Sequence, residues 1–558
     1  MVKKLFSLLH REWNGLHEAA ILIGGFTILS QVLALFRDRL LAHLFGAGPT
    51  LDLYYAAFRI PDFVFAGVAS FMSALVLIPI LAKKAEESDA RAQKFLSDTF
   101  TVFFTILVVV SVGVYMTVPW LTSALFPNFV GVEHADLVIM TRLLLLSPIL
   151  LGLSNLFGSV TQMFRKFFAF GLAPVFYNVG IILGAGFFYP AFGIIGLAWG
   201  VVLGAFATFF IHFFVSYRQG FSVQVSFLPS FIDMWEIFRV SLPRTIGLAA
   251  NQFTLIALIA FAAIMERGSV TVFNFALNLQ SVPVAIVGMS YATAAFPALS
   301  RHFAKEEMDK FLKHMLVAAR HIIFWSLPML VLLIVLRAQI VRTVLGSGSF
   351  DWGATKLTAA CLALFAVSIV AQSVTMLFVR GFYATGQNRI PLFVNVLTSV
   401  FTIAIGYGLF VWYARAPFLR IFVESLLRVD GVAGTSVLTL PLAYSVGMIL
   451  NAVLLMSFFR KHFGVLPASL KNTFVHGLFA SLIAGLVAYE FLEVFGLYLN
   501  LETFWGIFMQ GLGAGIAGIL TWWIILELMD NSEIKEVREA LTRKFWKTRV
   551  VFPGREEL

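Results

Sequence analysis

Runs of about twenty apolar residues recur along almost the whole chain, and no other feature limits its fold so tightly. A helix rises about 1.5 Å per residue, so such a run crosses the roughly 30 Å of a bilayer's hydrocarbon. In lipid every backbone polar group needs a partner within the protein, which leaves helices and closed barrels. The ten-residue alternation of barrel strands is absent. The fold class is therefore an all-α polytopic membrane protein. Fourteen spans are expected, near 19–45, 51–81, 95–118, 137–163, 167–188, 191–215, 236–265, 270–299, 312–336, 355–380, 390–413, 434–459, 471–493 and 503–528. With 60% hydrophobic and only 13% charged residues, the chain has too little charge to cover a soluble surface.

The net charge of +10 does not point to nucleic acid, because the basic residues cluster in short connections and in the tail. Lys83, Lys84, Arg91 and Lys94, then Arg165 and Lys166, Arg218, Arg301, Lys305, Lys310 and Lys313, Arg380 and Arg389, and Arg460 and Lys461 fall in the even-numbered connections. Segments 119–136, 189–192 and 494–502 have no Lys or Arg. The positive-inside rule then places both termini in the cytoplasm and the protein in the cytoplasmic membrane. Residues 1–18 read as an interfacial helix rather than a signal peptide, and 530–558 as a basic cytoplasmic tail on anionic lipid. The lone Cys361 excludes an internal disulfide and reads as a small buried hydrophobe.

Four pairs of motifs recur at offsets of 214 to 218 residues. Ser159-Val160-Thr161 returns as Ser373-Val374-Thr375, and Pro174-x-x-x-Asn178 as Pro391-x-x-x-Asn395. Pro79-Ile80-Leu81 returns as Pro297-Ala298-Leu299, and Lys94-Phe95-Leu96 as Lys310-Phe311-Leu312. The unit holds six spans, an even number, so the two copies are inserted parallel. The expected organisation is an N-lobe (19–216, spans 1–6), a C-lobe (234–459, spans 7–12) and an appendix of spans 13 and 14 (471–528). Two such lobes are the architecture of an alternating-access carrier. There is no His-Glu-x-x-His, no P-loop and no Gly-x-Ser-x-Gly, so neither a cofactor nor a metal is expected. An enzyme acting on lipid-linked intermediates and a membrane scaffold remain as competing classes.

The stretch from Gln31 to Asp62 interrupts the apolar pattern with Arg37, Asp38, Arg39, Asp52 and Arg59. Ionisable groups at membrane depth face a bundle interior or a wet cavity, or snorkel to the interface. At Arg37-Asp38, Phe45-Gly46-Ala47-Gly48, Asp52 and Phe58-Arg59-Ile60-Pro61 the sequence resembles the MurJ (MviN) family of the multidrug/oligosaccharidyl-lipid/polysaccharide exporter superfamily. The likeness continues at Pro283, Gly288, Thr293 and Phe296-Pro297-Ala298-Leu299-Ser300. It implies a flippase that moves lipid II, an undecaprenyl-pyrophosphate-linked disaccharide-pentapeptide of peptidoglycan synthesis. A flippase for another polyprenyl-pyrophosphate-linked glycan is the alternative. Bilayer lipids are partners in either case, and the cell-wall synthesis machinery is a further one.

The resemblance makes Arg37 a pyrophosphate contact, since an arginine fork donates two hydrogen bonds to such a group. Arg59, Arg39 and Arg244 are further candidate contacts, with Asp38 holding an arginine in place. Asp52 reads either as a helix-start residue favoured by the dipole or as part of a gate. Gly46, Gly48 and Pro61 read as turn and hinge positions. Family members typically carry Arg where this chain has Gln31 and Phe65, and Arg and Glu where it has Asn278 and Ser281. Gln31 and Asn278 are therefore candidate substrate contacts of altered chemistry. Asn178 and Asn395 read as hydrogen bonds between helices.

Overall fold

The structure is a computed structural model and describes residues 16–221, 223–464 and 469–546. The expected interfacial helix lies outside these residues as far as position 15, and the tail beyond 546 does too. Among the described residues every regular element is a helix. The first part of the chain forms α1 (Leu16–Phe45), α2 (Pro49–Ala57), α3 (Arg59–Val68), α4 (Ala74–Glu87), α5 (Asp89–Leu125), α6 (Val132–Leu144) and α7 (Leu146–Met163). Next come α8 (Phe167–Leu183), α9 (Tyr189–Phe192), α10 (Ile194–Arg218), α11 (Phe231–Ala263), α12 (Ser269–Pro283), α13 (Ser290–Ala304) and α14 (Met308–Val335). The remainder forms α15 (Arg337–Val344), α16 (Trp352–Ala366), α17 (Ile369–Ala384), α18 (Arg389–Arg415), α19 (Pro417–Leu427), α20 (Thr439–Phe463), α21 (Ser469–Tyr498), α22 (Phe504–Leu528) and α23 (Ser532–Trp546).

Eleven of the described helical segments are long and apolar enough to cross a membrane, twelve if the pair α16–α17 counts as one span. These coincide with expected spans 3 to 14. Span 1 is the single 30-residue helix α1. Span 2 departs from the continuous run expected over 51–81. It is broken at Phe58 and again at Ser73, with a 3-10 turn at Ala69–Met72 between the pieces. Pro61 lacks the N–H that a helix running on from α2 would aim at the carbonyl of Ala57, and Ser73 takes an extended backbone (ψ 144°). A turn of π-helix at Gly184–Phe188 follows α8, and another at Val284–Met289 follows α12 just after Pro283.

The helices fall into two compact units. The first lies within Met1–Leu279, Val344–Leu364 and Asn388–Leu450, the second within Gln280–Thr343, Phe365–Gln387 and Asn451–Leu558. In the first, α4, α5, α7 and the start of α11 close around Phe71, Met72, Leu77, Phe95, Leu156 and Ile237. The connection from α10 to α11 is strapped to α5: the backbone N–H groups of Gln224, Ser226 and Ser230 donate to Ser97, Thr101 and Asp98. Lys84 on α4 pairs with Asp233 on α11 at 3.0 Å. Helices α8 and α10 cross on glycines, as small-residue interfaces in membranes do. A Cβ on Gly200 would sit 2.8 Å from the carbonyl oxygen of Gly180, and one on Gly204 2.6 Å from that of Tyr177. Cys361 is fully buried, as expected.

In the second unit the indole of Trp522 on α22 is buried among Phe324, Ala480, Ala484, Leu526 and Ile534, which joins α14, α21, α22 and α23. Helix α23 begins with Asn531, whose side chain accepts from the N–H groups of Glu533 and Ile534. The buried Glu533 accepts from Arg320 Nε at 2.8 Å and from the Thr473 hydroxyl. Burial works to raise its pKa, yet hydrogen bonds from Arg320 and Thr473 and the Arg320 charge hold it down to about 2.

Two outcomes follow from this packing. Gly200→Leu has no room against α8 and is expected to cost about 3 kcal/mol, seen as loss of the monodisperse peak in size-exclusion chromatography. Glu533 has a folded pKa below its ordinary value of 4.5, so its contribution is complete above about pH 4.5 and is lost as pH falls toward 2. Glu533→Gln should remove that pH dependence and loosen α23, measured by hydrogen exchange over residues 532–546.

Candidate functional site

The charged residues of α1 and the broken second span converge on α12. On α1, Arg37 donates from Nε (2.9 Å) and an Nη (2.8 Å) to one oxygen of Asp38, a two-pronged contact between sequence neighbours. Its other Nη donates to the side-chain oxygen of Asn178 on α8 at 3.1 Å. Asn178 is itself held, donating to Ser30 and to the carbonyl of Pro174. The second oxygen of Asp38 accepts from the Asn278 amide on α12 at 3.0 Å. The chain Asn178–Arg37–Asp38–Asn278 thus links three helices from both copies of the sequence repeat. Asp38 is 3% exposed. At that depth a carboxylate is tolerable only with its charge matched and its lone pairs filled, and Arg37 and Asn278 do both.

Nearer the end of the bundle, Asp52 on α2 reaches the start of α12. One carboxylate oxygen accepts from the N–H of Gly268; the other accepts from the N–H and the hydroxyl of Thr271 at 2.8 and 2.7 Å. The first N–H groups of a helix have no partner within it and carry its positive dipole end, so a carboxylate there is doubly favoured. Asp52 also lies in the first turn of its own helix, as the sequence reading had it, but its oxygens serve α12. One turn further on, Arg59 donates to Asn274 of α12 at 2.7 Å and to the carbonyl of Tyr55 at 3.1 Å. Its pairing with Asp62 is loose, at 3.9 Å. The aromatic rings of Tyr55, Phe275 and Phe350 lie behind, with the Phe275 centroid 5.8 Å from that of Tyr55 and 5.8 Å from that of Phe350.

At this end three turns meet backbone to backbone. The N–H of Ser349 donates to the carbonyl of His43 at 3.0 Å. Gly46 has φ +64°, and a Cβ there would run into the carbonyl of Ser349. Gly268 has φ +92°, and a Cβ there would lie 2.6 Å from the carbonyl of Ala47. Only glycine satisfies both the left-handed backbone and the close approach. Gly48, by contrast, is extended (φ −153°) and caps α2, so the turn's conformational demand falls on Gly46.

Arg244 donates to Ser73 at the second break of span 2, at 2.9 Å. Arg39 and Gln31 are half-buried on α1. Phe65 packs against the core around Phe71 and Phe103, and Ser281 is exposed. The sequence reading did not single out Gly268, Thr271, Asn274 or Ser349. An intramembrane Asn and the Gly residues in the connections after spans 7 and 9 were the available signals.

The family model described as lipid II flippase MurJ matches residues 41–509. Among curated relatives, a probable lipid II flippase MurJ of Buchnera aphidicola is 28% identical over 69% of this chain and 76% of its own length. The lipid II flippase MurJ of Burkholderia cenocepacia is 25% identical over 80% of this chain and 84% of its own. A probable lipid II flippase MurJ of Thermotoga maritima is 25% identical over 82% of this chain and 94% of its own. Among solved structures, lipid II flippase MurJ in an inward closed conformation superposes with a TM-score of 0.70 at 19% identity, over 94% of this chain and all of that one. An inward-facing multidrug resistance MATE family transporter of the MOP superfamily gives 0.63 at 16% identity, over 81% of this chain and 99% of that one. These likenesses show the fold.

Removing the Asp52 carboxylate leaves buried N–H groups of Gly268 and Thr271 without an acceptor, a loss of about 1–3 kcal/mol from the closed arrangement. With Ser269→Cys as a reporter in a Cys361→Ala background, Asp52→Ala should raise the thiol-labelling rate at least several-fold. Gly46→Val, which fits neither the backbone nor the space, should do the same.

Proposed function

The chain belongs to the lipid II flippase MurJ family, and from that premise we propose that it carries lipid II across the cytoplasmic membrane by alternating access. The bond chain Asn178–Arg37–Asp38–Asn278 carries the reading. It sets a positioned arginine at membrane depth, and its link to α12 is a side-chain contact that an anionic ligand can exchange. The lipid II head is large, polar and anionic, and its polyprenyl tail stays in the bilayer. A pyrophosphate arriving at Arg37 competes with Asp38 for the guanidinium. A carboxylate released in this way loses the partner that makes its burial tolerable, and its hold on Asn278 weakens. Substrate binding is thereby tied to the separation of α1 and α12.

The basic connections set both termini in the cytoplasm, so the end closed by Gly46, Asp52 and Gly268 faces outward. Opening it requires release of the Asp52 carboxylate from α12 and of Arg59 from Asn274. Glycine turns in backbone contact separate without side-chain rearrangement, which suits a reversible seal. Asn278, in place of the family's usual arginine, leaves Arg37 and Asp38 a neutral pair, and Arg37 is then the charge on which recognition depends. The lipid-linked substrate leaves chemically unchanged.

The test is leaflet translocation of lipid II in proteoliposomes. Arg37→Ala should reduce the initial rate by about a hundredfold, because two charge-assisted hydrogen bonds worth about 1.5 kcal/mol or more each are lost. Arg37→Lys, which keeps the charge without the planar fork, should fall between. Recovered lipid should be intact by mass. Well-folded wild-type protein that moves no lipid II would overturn the reading.

A further inference from the structure

Arg142 lies on α6, in the first third of the membrane-crossing segment Val132–Met163 and away from the substrate chemistry described above. Its Nε donates to the carbonyl of Tyr115 on α5 at 3.2 Å, and its guanidinium lies over the Tyr115 ring, 4.5 Å from the centroid. That carbonyl would ordinarily accept from the residue four further on, which is Pro119 and has no N–H. One of five arginine N–H donors therefore mends a proline defect and fixes the plane of the group. Among the described residues the other four have no protein partner, and no carboxylate lies within ion-pair distance of Arg142.

The guanidinium lines a groove of about 440 Å³ with Val108, Ser111, Val112, Tyr115, Ile139 and Ile149. The groove opens toward lipid, since Val112, Met116, Ile139 and Leu146 beside it are exposed apolar residues. Exposed Trp120 and Tyr115 mark the interfacial level, in the manner of an aromatic belt. Ser111 lines the same groove one helical turn deeper. The residue is 5% exposed, and its hydroxyl has no hydrogen-bond partner. From the belt inward, the groove thus offers a fixed cation with free donors, an unsatisfied hydroxyl and an apolar floor.

We propose that this groove is a binding site for one anionic bilayer phospholipid. The lipid's phosphate pairs with the free Nη groups of Arg142, an ester oxygen meets the Ser111 hydroxyl, and an acyl chain lies along Val108 and Ile149. The order of these groups matches the order in which a phospholipid presents phosphate, ester and chain from the interface inward. An uncompensated cation at this depth is otherwise costly, and a lipid phosphate is the nearest counter-ion. The shallow level of the cation favours a bilayer lipid over the large head of a polyprenyl-linked glycan. This site is independent of the transport reading.

The experiment is native mass spectrometry of protein exchanged into phosphatidylglycerol, phosphatidylethanolamine or undecaprenyl phosphate. It is paired with photo-crosslinking by phosphatidylglycerol carrying a diazirine acyl chain. Wild type should retain one phosphatidylglycerol about tenfold better than Arg142→Gln, with crosslinks in the peptides spanning 108–115 and 139–149. Ser111→Val should weaken retention while the protein stays monodisperse, and this variant decides the matter if Arg142→Gln does not fold. Equal retention by wild type and variants, or crosslinks elsewhere, overturns the proposal. Displacement of phosphatidylglycerol by equimolar undecaprenyl phosphate overturns it in favour of a polyprenyl ligand.

Discussion

At membrane depth no water completes a hydrogen bond that the protein leaves open, and most of this structure answers to that constraint. Continuous helices satisfy it by themselves. The informative places are those where a helix is interrupted and a side chain takes over. Arg59 donates to the carbonyl of Tyr55 just before the break at Phe58, and Arg142 to the Tyr115 carbonyl that Pro119 leaves without a donor. Asp52 accepts from the opening N–H groups of α12. Each charged side chain here meets a backbone need, and each is held in a defined orientation by doing so.

The same bonds make the closed end both firm and releasable. Asp52, Arg59 and Asp38 all hold α12, and all three holds are between side chains, or between a side chain and a helix start. None requires the core of either helix to repack. The glycine turns at Gly46 and Gly268 bring backbones into contact without interdigitating side chains, so separation exposes little apolar surface. Where permanent contact is needed, as between α8 and α10, the glycines lie in the middle of long helices and the contact runs along both. Glycine thus serves two mechanical purposes, set by whether it lies in a turn or in a span.

The departures from the family's charge pattern take on physical sense in this setting. Asn278 fills the second oxygen of Asp38 without adding charge, so Arg37 and Asp38 balance each other. An arginine at 278 would leave an excess cation beside the pair. Phe65, where the family usually has an arginine, extends the apolar core around Phe71. Arg37 is thus the arginine whose charge is matched at close range by a carboxylate, whereas Arg59 and Arg244 donate to the neutral Asn274 and Ser73.

The sequence by itself determined the all-helical membrane architecture and the positions of expected spans 3 to 14, because apolar length and backbone satisfaction in lipid leave few alternatives. It also marked Arg37, Asp38, Asp52 and Arg59, since charges within apolar runs are conspicuous. It showed Asn178 as a residue that joins helices, a reading its bonds to Arg37 and Ser30 agree with. Only the tertiary structure decided what those groups touch. Their partners Asn274, Asn278, Gly268 and Thr271 lie more than two hundred residues away. Of the two breaks in span 2, the first was marked in the sequence by Pro61, whereas the second, at the extended Ser73, carried no comparable signal. Hydropathy records which residues leave water; which neighbour completes each hydrogen bond is fixed only when the helices pack.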